Sequence, residues 1–190
     1  MLVLRIFLFG GMVAHKLVWE ILKVQSPVQI TVQNPRGFGI KNLVKLGKIV
    51  VLILLVIQTL FLNVFPITTE PNLIRLIGMV FFILGLSVAI TGRVYLGKNW
   101  ANLEDYQVLA GQLLVNKGIY RYIRHPIYLG DVLLILGLEL ALNSWLVIGV
   151  IVLLLIVIRQ ALAEEVILSN SLPGYIEYRR LTKMFIPFVV

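Results

Sequence analysis

Apolar residues gather in five blocks along the chain, and their lengths and separations predict the elements. The first block runs from Leu2 to about Trp19 and is interrupted by Arg5, His15 and Lys16. The second runs from Leu46 to Phe65 and carries no charge between Ile49 and Leu62. The third spans Leu73 to Thr91, the fourth Ile127 to Leu142 with Asp131 and Glu139 inside it, and the fifth starts at Trp145 and stays apolar to Ile158. A helix needs about 20 residues to cross a bilayer, or about 17 at the short end. Blocks two and three meet that length outright. Block five continues through Arg159-Gln160-Ala161-Leu162-Ala163-Glu164-Glu165, all good helix formers, so it predicts a helix that leaves the membrane with its charged turns in the polar phase. Only Asn143-Ser144 separates blocks four and five, a helix-hairpin turn in which Ser144 caps the helix that follows. The expected fold is an all-α integral membrane bundle of about five transmembrane helices, with helices four and five as a tight hairpin. It forms one domain over 1–190, with three spans in 1–91 and a distinct C-terminal half in 92–190.

Composition narrows the classes further. Hydrophobic residues make up 59% of the 190 and charged residues 14%, where a soluble domain carries about 25% charged. A soluble fold and intrinsic disorder are both excluded by that balance. With no cysteine, disulfides, thiolate zinc sites and cysteine nucleophiles are absent, and no metal site is expected. The formal charge of +8 would suggest nucleic acid in a soluble protein. Here the basic residues are scattered between apolar blocks, so anionic headgroups and membrane topology explain them, and no nucleic-acid partner is expected.

The loops fix an expected orientation. Lys23, Arg36, Lys41, Lys45 and Lys48 fall between blocks one and two; Arg93, Lys98, Lys117, Arg121 and Arg124 between blocks three and four; Arg159, Arg179, Arg180 and Lys183 follow block five. The Pro66–Asn72 loop and the Asn143-Ser144 turn have none. Alternate loops are basic, which places both large loops and the tail in the cytoplasm and the N-terminus outside. Block one lacks a small-x-small cleavage site, so it reads as a retained helix rather than a signal peptide. Gln25 to Asn42, with Pro27, Pro35 and Gly37-Phe38-Gly39, reads as an irregular loop. Its glycines fall short of the GxGxxG that a dinucleotide cradle needs.

Two stretches depart from a plain membrane pattern: Gln112 to Asp131, and Arg159 to Glu165 with Leu168, the Tyr175-Ile176-Glu177-Tyr178 group and Pro187 behind it. One reading is a juxtamembrane loop, with Arg121 and Arg124 on lipid phosphates, Tyr120, Tyr122 and Tyr128 as an aromatic belt, and Pro126 opening a helix at its first position. The other is chemical. The run from Leu114 to Gly130, L-V-x-x-G-I-Y-R-Y-I-R-H-P-I-Y-L-G, resembles the isoprenylcysteine carboxyl methyltransferase family and its relatives among phospholipid N-methyltransferases. Glu164-Glu165-x-x-Leu168, Tyr175-x-x-Tyr178 and Phe185-Ile186-Pro187 extend the resemblance, which covers Asn99 to Pro187.

That resemblance implies a membrane enzyme that takes S-adenosyl-L-methionine on the cytoplasmic side and methylates a lipophilic or prenylated acceptor arriving from the membrane lipid. By position, the cofactor lies against Gln112, Leu113, Leu114 and Val115, then Tyr120, then His125, Pro126, Ile127 and Tyr128, with Glu164 closing the site. Arg159 and Glu165 are the implied catalytic pair, Arg159 gripping an acceptor carboxylate such as that of a prenylcysteine. The family places this arginine one position later, where Gln160 stands here, and the shift turns Arg159 by about 100° around a regular helix. Leu172-Pro173 likewise replaces the usual Phe-Gly. A carboxylate acceptor needs no general base, whereas a lipid amine or phenol must lose a proton and would give His125 a role as base. Asp131 and Glu139 are intramembrane acids; Asp131 lies one turn into helix four beside the expected site, while Glu139 is expected to reach the opposite interface. A scaffold or transporter is the remaining alternative, without the broken helices in symmetric halves that a transporter favours.

Overall fold

The computed structural model describes residues 1–24, 38–99 and 112–187. Six α-helices stand among them: α1 (Leu2–Val24), α2 (Phe38–Phe61), α3 (Asn72–Leu96), α4 (Pro126–Ala141), α5 (Gly149–Ser171) and the short α6 (Tyr175–Leu181). The described residues contain no β-strand; two isolated bridges, Pro66 with Ser144 and Ile123 with Lys183, are the sole extended pairings there. Three stretches are long and apolar enough to cross a membrane: Leu2–Lys23, Asn72–Asn99 and Trp145–Ser171. At sixteen residues, α4 is about 24 Å long, short of the roughly 30 Å of a bilayer's hydrocarbon core. Alone it does not reach across that core.

Most helix limits follow the apolar blocks, and the departures have local causes. Helix α2 opens at Phe38 because Asn42, Lys45 and Lys48 continue a helix without burying charge, so the end of the expected Gln25–Asn42 loop is helical; residues 25–37 lie outside the described ones. At its other end α2 stops at Phe61, before the expected Phe65. Pro66 disfavours a helical conformation in the residue before it, and Phe65 turns to φ 44°. Ser144 does cap as expected: its side chain accepts from the Leu146 amide at 3.1 Å. What it opens is first a 3-10 turn, Trp145–Ile148, and only then α5.

The helix against which α4 packs most closely is α3, rather than its hairpin neighbour α5. Glycines explain the pairing. Gly78, Gly85 and Gly92 repeat every seventh residue on α3, as do Gly130 and Gly137 on α4, and a repeat of seven keeps them on one face. A Cβ at Gly137 would run into the backbone of Phe82, one at Gly85 into Leu134, one at Gly78 into Ala141 and one at Gly130 into Ala89. In lipid, where apolar side chains gain little by leaving one membrane environment for another, such backbone approach supplies the dispersion contact that joins helices. Leu8 of α1 closes over Phe82, Leu134, Leu138, Ala141 and Leu142.

A second anchor lies at the N-terminal end of α1. Arg5 is buried and its guanidinium donates to the carbonyls of Gln58 (3.0 Å), Thr59 (2.7 Å) and Leu62 (2.8 Å) and to Asn63 Oδ1 (2.7 Å). The Thr59 carbonyl is one that a helix end leaves without a partner, while that of Gln58 also accepts from the Leu62 amide at 3.2 Å. Gln58 in turn donates from Nε2 to Glu139 at 2.8 Å and to Ser144 at 3.3 Å. Glu139, expected at the interface, is 3% exposed because this amide and not water satisfies it. Asn143, at φ 59°, ties the turn after α4 to the loop before α3 by donating to the Thr68 carbonyl at 2.7 Å. Arg5→Leu should lower stability by about 1.5–3 kcal/mol, since hydrogen bonds made by a charged group are lost together. Thermal unfolding in detergent measures it, and an unchanged midpoint would show that the end of α2 is satisfied some other way.

Candidate active site

At the opposite end of the bundle the chain between α3 and α4 builds the floor of a cleft. Asn99 holds the incoming strand of chain: its Oδ1 accepts from the Leu113 amide at 2.9 Å and its carbonyl from Gln112 Nε2 at 3.4 Å. Residues 112–115, in neither helix nor strand, then lead into a 3-10 turn at Gly118–Arg121. Gly118 sits at φ 58°, a conformation that L side chains disfavour, and a Cβ there would strike the Tyr95 ring. This is why the L-V-x-x-G spacing requires glycine. The turn delivers Tyr120 inward, 6% exposed.

The C-terminal segment locks that floor in place. Tyr178 Oη donates to the Tyr120 carbonyl at 2.7 Å. The Arg124 and His125 amides donate to the carbonyls of Lys183 (2.9 Å) and Met184 (3.1 Å), and the Lys183 amide returns a bond to the Tyr122 carbonyl at 3.1 Å. Leu114 and Leu168 pack on Leu172, Tyr175 and Tyr178. Burial pushes the Tyr178 hydroxyl up to about 12, and burial, with Glu164 nearby for Tyr120 and Glu165 for Tyr175, raises both other phenols well above the usual range. All three stay neutral at physiological pH and wall the cleft, and Tyr178 is also a hydrogen-bond donor.

Beneath them lies an ionic knot. Glu165 is 1% exposed. Its Oε1 accepts from Arg124 Nε at 2.6 Å and lies 3.3 Å from His125 Nε2, and its Oε2 pairs with Arg179 Nε at 2.9 Å. Arg124 Nη1 donates onward to the Arg179 carbonyl at 3.1 Å and to the Thr182 carbonyl. Buried charges persist only when paired and hydrogen-bonded in this way.

Above the knot lies a cleft that is partly open to the outside. Gln112, Leu113, Leu114 and Val115 line it, as do Tyr120, His125, Ile127, Tyr128 and Glu164. Tyr128 Oη donates to Glu164 Oε2 at 2.9 Å, His125 Nδ1 lies 3.8 Å from that same oxygen, and the His125 and Tyr128 rings stack with centroids 5.4 Å apart. The two separate stretches singled out in the sequence thus meet on one hollow.

Three residues expected at the site lie elsewhere. Pro126 is buried behind the lining, where it fixes the first turn of α4 and packs towards Gly92. Glu165 belongs to the knot beneath the cleft and holds Arg124 instead of facing the hollow. Arg159 is exposed and outside the lining, because α5 is a regular helix there and its one-residue offset turns it away; Gln160 lines the cleft in its place. The structure also adds residues that sequence reading did not assign. Arg124, read as a lipid-phosphate contact, lines the cleft from within the knot, and Leu96, Asn99 and Trp19 complete the walls. Trp19 comes from α1, as does His15, which stacks on it at 4.0 Å and reaches Asp131 with Nε2 at 3.0 Å from Oδ1. A histidine interrupting an apolar helix was the available signal.

Comparison with known proteins gives three findings. A model of the phospholipid methyltransferase family matches residues 73–172. The cobalt-zinc-cadmium resistance protein CzcN of Cupriavidus metallidurans is 31% identical over 106 residues, which are 55% of this chain and 46% of that protein. The chain therefore spans under half the length of that curated relative. Among solved structures, the eukaryotic intramembrane Ras methyltransferase, isoprenylcysteine carboxyl methyltransferase, superposes with a TM-score of 0.62 over 98% of this chain and 68% of that one, at 22% identity. The likeness is one of fold, an all-helical membrane architecture.

Proposed function

This chain belongs to the phospholipid methyltransferase family, and from that premise we propose that it transfers a methyl group from S-adenosylmethionine to a lipophilic acceptor drawn from the bilayer. The observation that carries the reading is the meeting of Tyr128 and Glu164, 36 positions apart in sequence, at 2.9 Å on the wall of one cleft. The donor is a sulfonium with an ammonium and a carboxylate at its amino acid end. Its cationic groups fit Glu164 and the aromatic faces of Tyr120 and Tyr128, each such face contributing about 0.5–2 kcal/mol. Its carboxylate fits the amides that open α4 after Pro126, which have no partner within the helix. Residues 112–115 supply an apolar edge. When bound, the donor supplies an electrophilic methyl group; the chain's own residues orient it, exclude water and fix the acceptor within reach, worth up to about 7–11 kcal/mol in the barrier.

Orientation follows from charge. Lys117, Arg121, Arg179, Arg180 and Lys183 are exposed at the cleft end, and none of Lys or Arg stands in the Pro66–Asn72 loop or the Asn143-Ser144 turn. Basic residues favour the cytoplasmic side, so the cleft opens there.

The prenylcysteine-like carboxylate implied by the resemblance would need a cation facing the cleft. Arg124 is the one guanidinium among the described lining residues, and Glu165, Arg179 and Thr182 already hold it. The second reading, a lipid amine or phenol, is favoured by that observation.

Binding of S-adenosylhomocysteine to the purified protein, measured by calorimetry, tests the proposal directly. Glu164→Gln should weaken it by about 10- to 100-fold, which is roughly 1.4–2.7 kcal/mol. Arg159→Ala should leave it unchanged. Absence of binding to the natural sequence would overturn the reading.

A further inference from the structure

Resting on that assignment, we propose that Asp131, held in place by His15, is the catalytic group on the acceptor side, and that the acceptor carries a proton on its attacking atom: an amine or hydroxyl on a lipophilic body, not a carboxylate. The placement comes from helix register. Tyr128 and Asp131 share one face of α4, Glu164 and Gln160 one face of α5, and Trp19 and His15 one face of α1. In each pair the second residue lies about one turn, roughly 5.4 Å, farther into the bundle. Tyr128, Glu164 and Trp19 form the layer nearer the floor. Asp131, Gln160 and His15 form the next layer inward, on the side from which a bilayer-borne molecule arrives.

An ionisable group at that depth persists only with a partner or a task, and Asp131 has both. His15 Nε2 takes Oδ1 at 3.0 Å. Oδ2 has no protein partner among the described residues, and 39% of the side chain remains accessible on a residue that lines the cleft. The stack of His15 on Trp19 at 4.0 Å fixes the imidazole, and a proton on Nε2 then orients the carboxylate. His15 does not itself line the cleft, so it is a positioning residue.

The acceptor's nitrogen or oxygen forms a bond to the methyl carbon, and the carbon–sulfur bond breaks with its electron pair passing to sulfur, which becomes a neutral thioether. The proton leaving the acceptor goes to Asp131 Oδ2. A carboxylate acceptor has no proton to lose, and it would meet repulsion from Asp131 and Glu164 in the same cleft.

The test uses the full chain in detergent, saturated with S-adenosylhomocysteine, in a Trp100→Phe, Trp145→Phe background where Trp19 is the remaining tryptophan and is excited selectively over the tyrosines. A long-chain amine, a long-chain phenol and a fatty acid are titrated as probes. The amine or the phenol should quench Trp19 and lose at least about tenfold in affinity in Asp131→Asn, with S-adenosylhomocysteine binding unchanged; which of the two binds identifies the heteroatom. Incubation with methyl-labelled S-adenosylmethionine and a membrane lipid extract should give an alkali-stable labelled product. Turnover should fall about 100-fold or more in Asp131→Asn, mostly in kcat. His15→Gln, which keeps an amide donor for Oδ1, should restore most of what His15→Leu loses. An alkali-labile methyl ester, tighter binding of the fatty acid than of both other probes, no binding of any probe, or Asp131→Asn indistinguishable from the natural protein would each overturn the inference while leaving cofactor binding, and so the proposed function, intact.

Discussion

Glu165→Ala is expected to destabilise the protein by about 3–5 kcal/mol, because removing one partner of a buried ion pair leaves the other charge stranded. The stranded charge is Arg124, whose Nε loses its 2.6 Å partner while the rest of its guanidinium stays fixed on the Arg179 and Thr182 carbonyls. Arg179 is released at the same time, and His125 loses the oxygen 3.3 Å from Nε2. The measurable result is a large drop in the thermal unfolding midpoint in detergent together with loss of S-adenosylhomocysteine binding, since the floor of the cleft hangs on this knot. The double variant Arg124→Met, Glu165→Leu separates charge from shape. Apolar replacement of a whole buried pair is often neutral or stabilising by 1–4 kcal/mol, so the double variant should recover most of the midpoint. A single Glu165→Ala variant as stable as the natural protein would show that the knot bears no weight.

Gly137→Leu is the second large effect, and it acts through backbone contact rather than through charge. The atoms in the way of a Cβ at Gly137 are Phe82 N and Cα and the Gly78 carbonyl, all main chain. Main-chain atoms inside a helix cannot move aside as a side-chain tip can, so α3 and α4 must part. Overpacking typically costs 1–3 kcal/mol where side chains can adjust; here the loss should exceed about 3 kcal/mol and leave little folded protein in detergent. Gly10→Ala is the control. Nothing lies within 4 Å of a Cβ at Gly10, and the helical gain of alanine over glycine is about 0.5–1 kcal/mol. If the two variants unfold alike, the close approach of α3 and α4 is not what joins them.

These two residues also mark what the sequence disclosed and what it did not. Membrane character, the existence of each long helix and the start of α4 at Pro126 were all local signals, carried by apolar length and by proline's fixed geometry. The union of the 112–128 stretch with Glu164 was legible through the order of its residues. Arg159 falls outside the lining, because the one-residue shift in a regular helix turns it away from the cleft. The glycine spacing at 78, 85, 92, 130 and 137 was present in the sequence and points to α3 with α4, but a short turn between α4 and α5 drew the pairing there. The share of α1 in the cleft had one local signature, the histidine in its apolar block, and nothing beside it names its partner. His15 meets Asp131 across 116 positions, and neither residue's neighbours announce the other. Arg5 is similar: a lone arginine in an apolar block reads as a flank until the carbonyls at the end of α2 are seen around it.

The Arg5 anchor has a mechanical consequence. Helix α1 is fastened near its beginning to the end of α2, and the described hydrogen bond between it and α4 is the one from His15 to Asp131. Leu8 and Met12 also pack α1 onto the core, so it is held from its beginning to its middle. The last turns of α1, which bring Trp19 to the cleft, therefore depend on the contact between His15 and Asp131 for their position.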